Sequence, residues 1–252
     1  MSALVDVVVL TWNDGDRLAV AVGSALGSVG VDVNVVVVDN GSDPPAVVAE
    51  DPRVRLLRNE ANRGVAAGRN QGTAAGHASF VVLLDSDARL HPGGLAALLE
   101  PLTADDGIAL AVPTFSGQAP EASAGRAPTA ARKVARGLNL CSDYAPVPRR
   151  PGDRWWDVEF GIGACQLFRR SAWESVGGID EGYFYGPEDV DFCLRVLTTG
   201  RVVQVAGQVC DHPARRRFRR VLTRRGLDHA GAIARYLWRT RRHARIPRPA
   251  AS

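Results

Sequence analysis

Residues Phe80–Asp87 read FVVLLDSD, a short apolar run that ends at two acids with one residue between them. A run this short, rich in Val and Leu and without polar alternation, suits a strand buried on both faces. Side chains at i and i+2 of an extended chain leave it on the same side, so Asp85 and Asp87 project together from the strand end. Two carboxylates held that close repel unless a cation lies near them, and hard oxygen ligands suit Mg2+ or Mn2+. In open α/β sheets, ligands collect outside the carboxyl ends of the strands. The stretch therefore points to a divalent metal carrying a phosphate-bearing ligand. The plain alternative is a pair of solvated turn acids ahead of a helix starting near Pro92, and the spacing alone fits it equally well.

The flanking chain repeats one pattern. Val5–Leu10, Val33–Val38, Val54–Leu57 and Ile108–Val112 read as further strands. Helical stretches Arg17–Leu26, Gly64–Gly76 and Pro92–Leu102 alternate with them, the last with Pro at its start. This alternation predicts an α/β fold with a parallel or mostly parallel sheet and helices on its faces. Asp39 ends the second strand and should reach the same crevice as Asp85 and Asp87, where a carboxylate accepts from a base N–H or a ribose hydroxyl. A turn-forming Asp before Asn40-Gly41 is the structural alternative.

In GVAAGRNQGTAAG, glycines 64, 68, 72 and 76 recur every fourth residue. Each helical glycine costs about 1 kcal/mol relative to Ala, so that face must approach something closely, and the sheet is the simplest partner. Arg69 and Asn70 lie on another face, within reach of a base or pyrophosphate. No GxGxxG follows the first strand, which leaves a dinucleotide-binding reading with little support.

From Phe115 to Pro151 the apolar period fades into an Ala-, Pro-, Gly- and Arg-rich insertion, either a lid or a loop without order. Trp155-Trp156-Asp157 restores a strand pattern that runs through Val158–Arg170. If extended, one indole enters the core and the other offers a flat face to a sugar ring. Ser171–Val176 is a short helix stopped by Gly177-Gly178. Gly186-Pro187 opens another whose first turn holds Glu188 and Asp189. A helix N-terminus favours the ionised carboxylate by about 0.3–1 kcal/mol, so Asp189 is charged at neutral pH and able to accept a proton. Dipole-complementing acids are common there, however, and Asp191 with Arg195 reads as an ordinary i, i+4 pair. Arg201–Val205 is a last strand, and His212 follows it.

Among the 252 residues, 46% are hydrophobic and 23% charged, an ordinary globular balance. The net charge is +4, with Lys133 the only lysine. Cys141, Cys165, Cys193 and Cys210 show no paired spacing and read as thiols of a reducing compartment. No signal peptide is evident, and no run approaches the roughly 20 apolar residues of a membrane span. These features predict a cytoplasmic protein. After Asp211 the only acid is Asp228, and arginines crowd the segment 214–242, with an amphipathic helix expected from Leu227 to Arg242. Such a tail suits an anionic membrane surface at the inner face, or a solvated helix packed on the domain. No motif for nucleic acid accompanies it.

Taken together, VVVLTWN, VVVVDNGSD, NRGVAAGRNQG, VVLLDSD, FRRSAWESVGGIDEGYF, GPEDVDFCLR and the late Asp211-His212 resemble the family 2 glycosyltransferases, nearest the rhamnosyl- and galactofuranosyl-transferase-like branch. The resemblance spans roughly Val5 to His212 and is weakest in the insertion. It implies a GT-A fold over residues 1–213, Rossmann-like, with a nucleotide-sugar half (1–114), the insertion (115–151) and a catalytic half (152–213), followed by a basic helical tail (214–252). It implies an inverting, metal-dependent reaction on a nucleotide-diphosphate sugar.

Carried over by position, Thr11, Trp12, Asp39, Arg69, Asp85 and Ser86 would hold the donor, with Trp12 standing where the family has Tyr. Asp85, Asp87 and His212 would hold Mn2+ or Mg2+, and Asp189 would be the base. Trp156, Glu188 and Asp191 would face the acceptor, which is a glycan, a lipid-linked glycan or a small metabolite. Two rivals remain. A sugar-phosphate nucleotidyltransferase needs a Gly-rich, Lys-bearing first turn, and TWNDGD stands there instead. A non-catalytic nucleotide-sugar module would not need the full acid set. The enzyme reading fails if Asp87 and Asp189 open onto separate surfaces.

Overall fold

A computed structural model of the chain describes residues 3–116, 122–128, 146–213 and 235–236. Eleven strands and five helices occur among them. The first half contains β1 (Leu4–Thr11), α1 (Asp16–Leu26), β2 (Asp32–Asp39), β3 (Val54–Arg58), α2 (Val65–Ala75), β4 (Phe80–Asp85), β5 (Arg89–Leu90), α3 (Gly94–Ala104) and β6 (Ile108–Ser116). The second half contains β7 (Ala124–Gly125), β8 (Trp155–Val158), β9 (Phe160–Gly161), β10 (Cys165–Arg169), α4 (Arg170–Ser175), α5 (Glu188–Val196) and β11 (Arg201–Asp211).

The main sheet runs β3-β2-β1-β4-β10-β6-β11-β5, with β8 also on β11. Strands β3, β2, β1 and β4 are mutually parallel, so Thr11, Asp39 and Asp85 all leave the sheet at one edge. The apolar runs of β1, β2 and β4 are buried along nearly the whole length, as expected for strands covered on both faces, whereas β3 is partly exposed. Strand β10 breaks the parallel order: it is antiparallel to both β4 and β6. The chain enters β10 from the site edge, where Asp85 N donates to the Ala164 carbonyl at 2.9 Å, and so must run back through the sheet.

Three further elements differ from their sequence pattern. Helix α3 begins at Gly94, with Pro92 in the turn before it. Strand β11 is one long strand from Arg201 to Asp211, and an irregularity between Val205 and Cys210 absorbs the register shift against β6. The run Val158–Arg170 divides at Glu159 and again at 162–164 into β8, β9 and β10.

The glycine stripe packs α2 on the sheet. A Cβ on Gly68 would strike Leu10, one on Gly72 would strike Val8, and one on Gly76 would strike Asp6. Close approach to β1 is what the repeated glycines permit. Within the insertion, β7 pairs antiparallel with β9, and Ile162 N donates to the Ser123 carbonyl at 2.8 Å. Cys165, Cys193 and Cys210 are buried free thiols, and burial pushes Cys193 up to about 12. Cys141 lies outside the described residues. So does the expected tail helix, except Arg235 and Tyr236. These two pack on the body: Tyr236 is buried and donates to the Pro128 carbonyl at 3.1 Å, and Arg235 pairs with Asp180 at 3.0 Å. No helix among the described residues is long and apolar enough to cross a membrane.

Candidate active site

The end of β4 supplies Asp85, Ser86 and Asp87. Strand β5 follows at once and pairs with the end of β11, with Leu90 opposite Cys210 and Arg89 opposite Asp211. That pairing returns His212 to the first acid pair. Ligand atoms of Asp85, Asp87 and His212 lie within 4.8 Å of one another. His212 Nε2 is 3.5 Å from Asp87 Oδ1, and its ring stands 5.0 Å from Phe115. The His212 hydrogen bond holds the Asp87 carboxyl below its ordinary value, outweighing burial. Two carboxylates and an imidazole form a hard-to-borderline donor set that fits Mn2+ or Mg2+. Below it, Asp211 Oδ1 meets His91 Nε2 at 3.0 Å and accepts from Ser116 Oγ at 2.8 Å, bracing the strand end beside His212.

Helix α1 approaches the same acids. Arg17 pairs with Asp14, and its Nη1 is 3.7 Å from Asp87 Oδ2. Ser86 Oγ donates to Asp14 Oδ2. Ser86 is thus tied to the α1 turn.

On the other side of β1, Asp39 is buried at the end of β2. It accepts from Ser42 N at 3.0 Å, from Ala46 N at 2.9 Å and from Arg58 at 3.2 Å. Burial opposes its ionisation, but these hydrogen bonds and the Arg58 charge together hold the carboxyl below its ordinary value. Asn40 is a hub the sequence reading missed. Its Oδ1 accepts from Asn59 and Arg63 N, and its Nδ2 donates to Asn62 and to the Gly64 carbonyl. Thr11 is buried, its carbonyl accepting from Asn40 N at 2.9 Å. Trp12, next along, is 40% exposed.

Arg69 joins these acids to the second half of the chain. Its guanidinium is buried and donates to Asp85 Oδ1 at 2.7 Å, Glu188 Oε1 at 3.1 Å and the Gly163 carbonyl at 2.8 Å. Gly163 N in turn donates to Asp189 Oδ2 at 3.0 Å, and Asp189 Oδ1 accepts from Val190 N at 2.8 Å. Asp85 and Asp189 are therefore linked through one arginine and one residue, Gly163. Gly163 was not singled out from the sequence. The signal was present, because glycine within a strand pattern marks close backbone approach: a Cβ there would strike the Arg69 guanidinium.

The expected acceptor residues are differently placed. Glu188 is buried against Arg69. Asp191 is buried and bonded to Arg195 at 2.9 Å, the local pair its spacing predicts. Trp156 lies on β8 opposite Gln204, with Arg149 5.7 Å from its ring centre. Because the chain turns after β8, Trp156 is on an outer strand while Gly163 lies at the turn into β10. The indoles do not divide into one core and one exposed ring either. Both are half-buried, Trp155 beneath Arg154 and Trp156 beneath Arg149. Asn70 also departs from expectation. It accepts from Trp173 Nε1 at 3.1 Å and Ile179 N at 2.9 Å, and donates to the Ile179 carbonyl at 2.7 Å. It staples the loop after α4 and does not reach towards a ligand.

Comparison with known proteins agrees with this geometry. A family model described as Glycosyl transferase family 2 matches residues 6–177. The chain belongs to glycosyl transferase family 2. This family 2 glycosyltransferase is 30% identical over 243 residues to the N-acetylglucosaminyl-diphospho-decaprenol L-rhamnosyltransferase of Mycobacterium tuberculosis, covering 85% of this chain and 78% of that protein. It is 32% identical over 201 residues to the pre-mycofactocin glycosyltransferase of the same organism, covering 78% of this chain and 39% of the relative. It is 42% identical over 97 residues to the succinoglycan biosynthesis protein ExoO of Rhizobium meliloti, covering 37% of this chain and 28% of that one. A crystal structure of GalNAc-T7 with UDP, GalNAc and Mn2+ superposes with a TM-score of 0.71 at 15% identity, over 95% of this chain and 50% of that one. The family 2 chain therefore has the GT-A fold.

Proposed function

We propose that this glycosyltransferase moves a sugar from a nucleotide-diphosphate donor to an acceptor hydroxyl with inversion, and that Asp189 is the general base. The observation carrying this reading is the Arg69–Gly163–Asp189 connection, which fixes a carboxylate beside the Asp85, Asp87 and His212 cluster. Those three residues would hold Mn2+ or Mg2+, whose charge offsets that of the departing diphosphate. Thr11 and Asp39, which end β1 and β2, and Trp12, which follows Thr11, would hold the nucleoside. Asp189, aimed by two backbone N–H groups, takes the proton of the attacking hydroxyl. Its neighbour Glu188 accepts from Arg69 through Oε1, which leaves Asp189 as the carboxylate of the Glu188-Asp189 pair proposed for proton transfer. That arrangement supports a single displacement with inversion.

The name of the mycobacterial relative points to a lipid-linked glycan as the acceptor class. A melting-temperature screen of nucleotide sugars with and without Mn2+ identifies the donor, since a ligand of the folded state raises the midpoint by mass action. Asp189→Asn should retain that shift and lose turnover by about a hundredfold or more. Undiminished turnover in the variant would remove Asp189 from the reaction. Donor binding without transfer to any acceptor in the wild-type chain would favour a binding module.

A further inference from the structure

The exposed large hydrophobic side chains among the described residues include three aromatics, Trp12 at 40%, Phe184 at 50% and Tyr185 at 48%; the rest are aliphatic. All three aromatics are close in sequence to candidate site residues. Trp12 follows Thr11 on the donor side, and Phe184 and Tyr185 precede the helix that begins at Glu188.

The segment that presents Phe184 and Tyr185 is held from three directions. Phe184 accepts from Val65 N at 2.8 Å, at the start of the helix that carries Arg69. Gly64, at a φ of 88°, lies directly beneath it: a Cβ there would come within 2.9 Å of the Phe184 ring and carbonyl. The Gly64 carbonyl is itself held by Asn40, the neighbour of Asp39. From behind, Tyr183 is buried and donates to Asp191 at 3.4 Å, with the Arg235 guanidinium 5.7 Å from its ring centre. The two exposed rings therefore sit on an anchored strip of backbone between the nucleoside-side loop and the helix of Asp189.

Half-exposed aromatic rings on fixed backbone suit a ligand with one apolar face and polar edges. A pyranose has that form. Its C–H face covers a flat ring while its edge hydroxyls stay free to meet a base. The residues expected from the sequence to face the acceptor, Glu188 and Asp191, are occupied by Arg69 and Arg195.

We infer that Phe184 and Tyr185 form the platform on which the acceptor's sugar ring rests while its hydroxyl meets Asp189. The inference builds on the reading of Asp189 as the base and adds the acceptor subsite to it.

Ligand-observed saturation-transfer NMR tests this on the full chain with MgCl2, using methyl β-N-acetylglucosaminide, methyl α-rhamnopyranoside and methyl β-galactopyranoside as probes. At least one glycoside should receive saturation at its ring C–H protons from the wild-type chain. That signal should fall about fivefold or more in Phe184→Leu or Tyr185→Leu, which keep apolar bulk and lose the flat face, and survive in Phe184→Tyr and Tyr185→Phe. Circular dichroism confirms that each variant is folded. No binding of any probe by the wild-type chain, or equal binding by both leucine variants, overturns the platform. Loss of co-sedimentation with phosphatidylglycerol–phosphatidylethanolamine vesicles in the leucine variants, with glycoside binding unchanged, overturns it in favour of a membrane-facing strip. Failure of the underlying reading looks different: Asp189→Asn would keep full transfer whatever the glycosides do.

Discussion

The Gly163 carbonyl accepts from Arg69 at 2.8 Å, and the N–H of the same glycine donates to Asp189 at 3.0 Å. A single residue thus sets both the cation behind Asp85 and the direction of the proposed base. A methyl at Gly163 would strike the Arg69 guanidinium, which is buried and held by three acceptors and has no room to swing aside. Gly163→Ala should cost about 1–3 kcal/mol of stability through overpacking. It should lower turnover by about a hundredfold, the scale of a 1 Å misplacement at a reacting centre. Urea denaturation and single-turnover rates measure the two effects. Wild-type rates in the alanine variant would show that the Gly163 turn does not aim Asp189.

Arg69 itself answers two carboxylates in a buried setting. Replacing it with Met leaves Asp85 and Glu188 facing each other without their cation. Breaking a buried ion pair from one side costs about 3–5 kcal/mol, so Arg69→Met should lower the urea midpoint strongly. Adding Glu188→Gln should recover part of the loss, because the amide needs no counter-charge. A double variant no more stable than Arg69→Met would mean that packing, and not charge, is what Arg69 supplies.

The division between what sequence could and could not foretell follows contact range. The acids of FVVLLDSD were legible because a strand end and an i, i+2 spacing are local facts, and Asp191 with Arg195 was legible for the same reason. The glycine stripe was readable as close packing, since only a near neighbour compensates four helical glycines. Glu188 was not legible as a partner of Arg69, because 119 residues separate them. Nor was the direction of β10: hydrophobic periodicity marks a strand but carries no sense of its run. The place of Trp156 on β8, apart from β10, was not legible because the turn after β8 breaks a stretch whose residue types look continuously extended.

Asp39 carries a pH prediction. Its folded carboxyl lies below the ordinary value of about 3.9. A depressed folded pKa means stability that is present above the unfolded value and lost as pH falls through the folded one. Asp39→Asn should therefore be less stable than wild type at pH 7, by about 1–3 kcal/mol for hydrogen bonds to a charged group. The gap should narrow as pH falls through the acid limb. Urea midpoints between pH 7 and pH 3 report it, and a gap that widened on acidification would contradict the assignment.

Arg17 stands 3.7 Å from Asp87, and its side chain is 59% exposed. Before a metal binds, its guanidinium, also paired with Asp14, is a counter-ion on one proposed ligand and competes with the incoming cation for that carboxylate. Exposed pairs of this kind contribute about 0.2–1 kcal/mol, so Arg17→Gln should tighten Mn2+ binding by about two- to fivefold in the absence of donor. The difference should shrink in high salt, which screens exposed charges. With a nucleoside diphosphate present the sign should reverse, because the same guanidinium then lies beside phosphate oxygens brought to the metal. Mn2+ titrations followed by electron paramagnetic resonance, with and without nucleoside diphosphate, separate the two states. Weaker Mn2+ binding in the donor-free variant would mean that Arg17 orients Asp87 for the metal and does not compete with it.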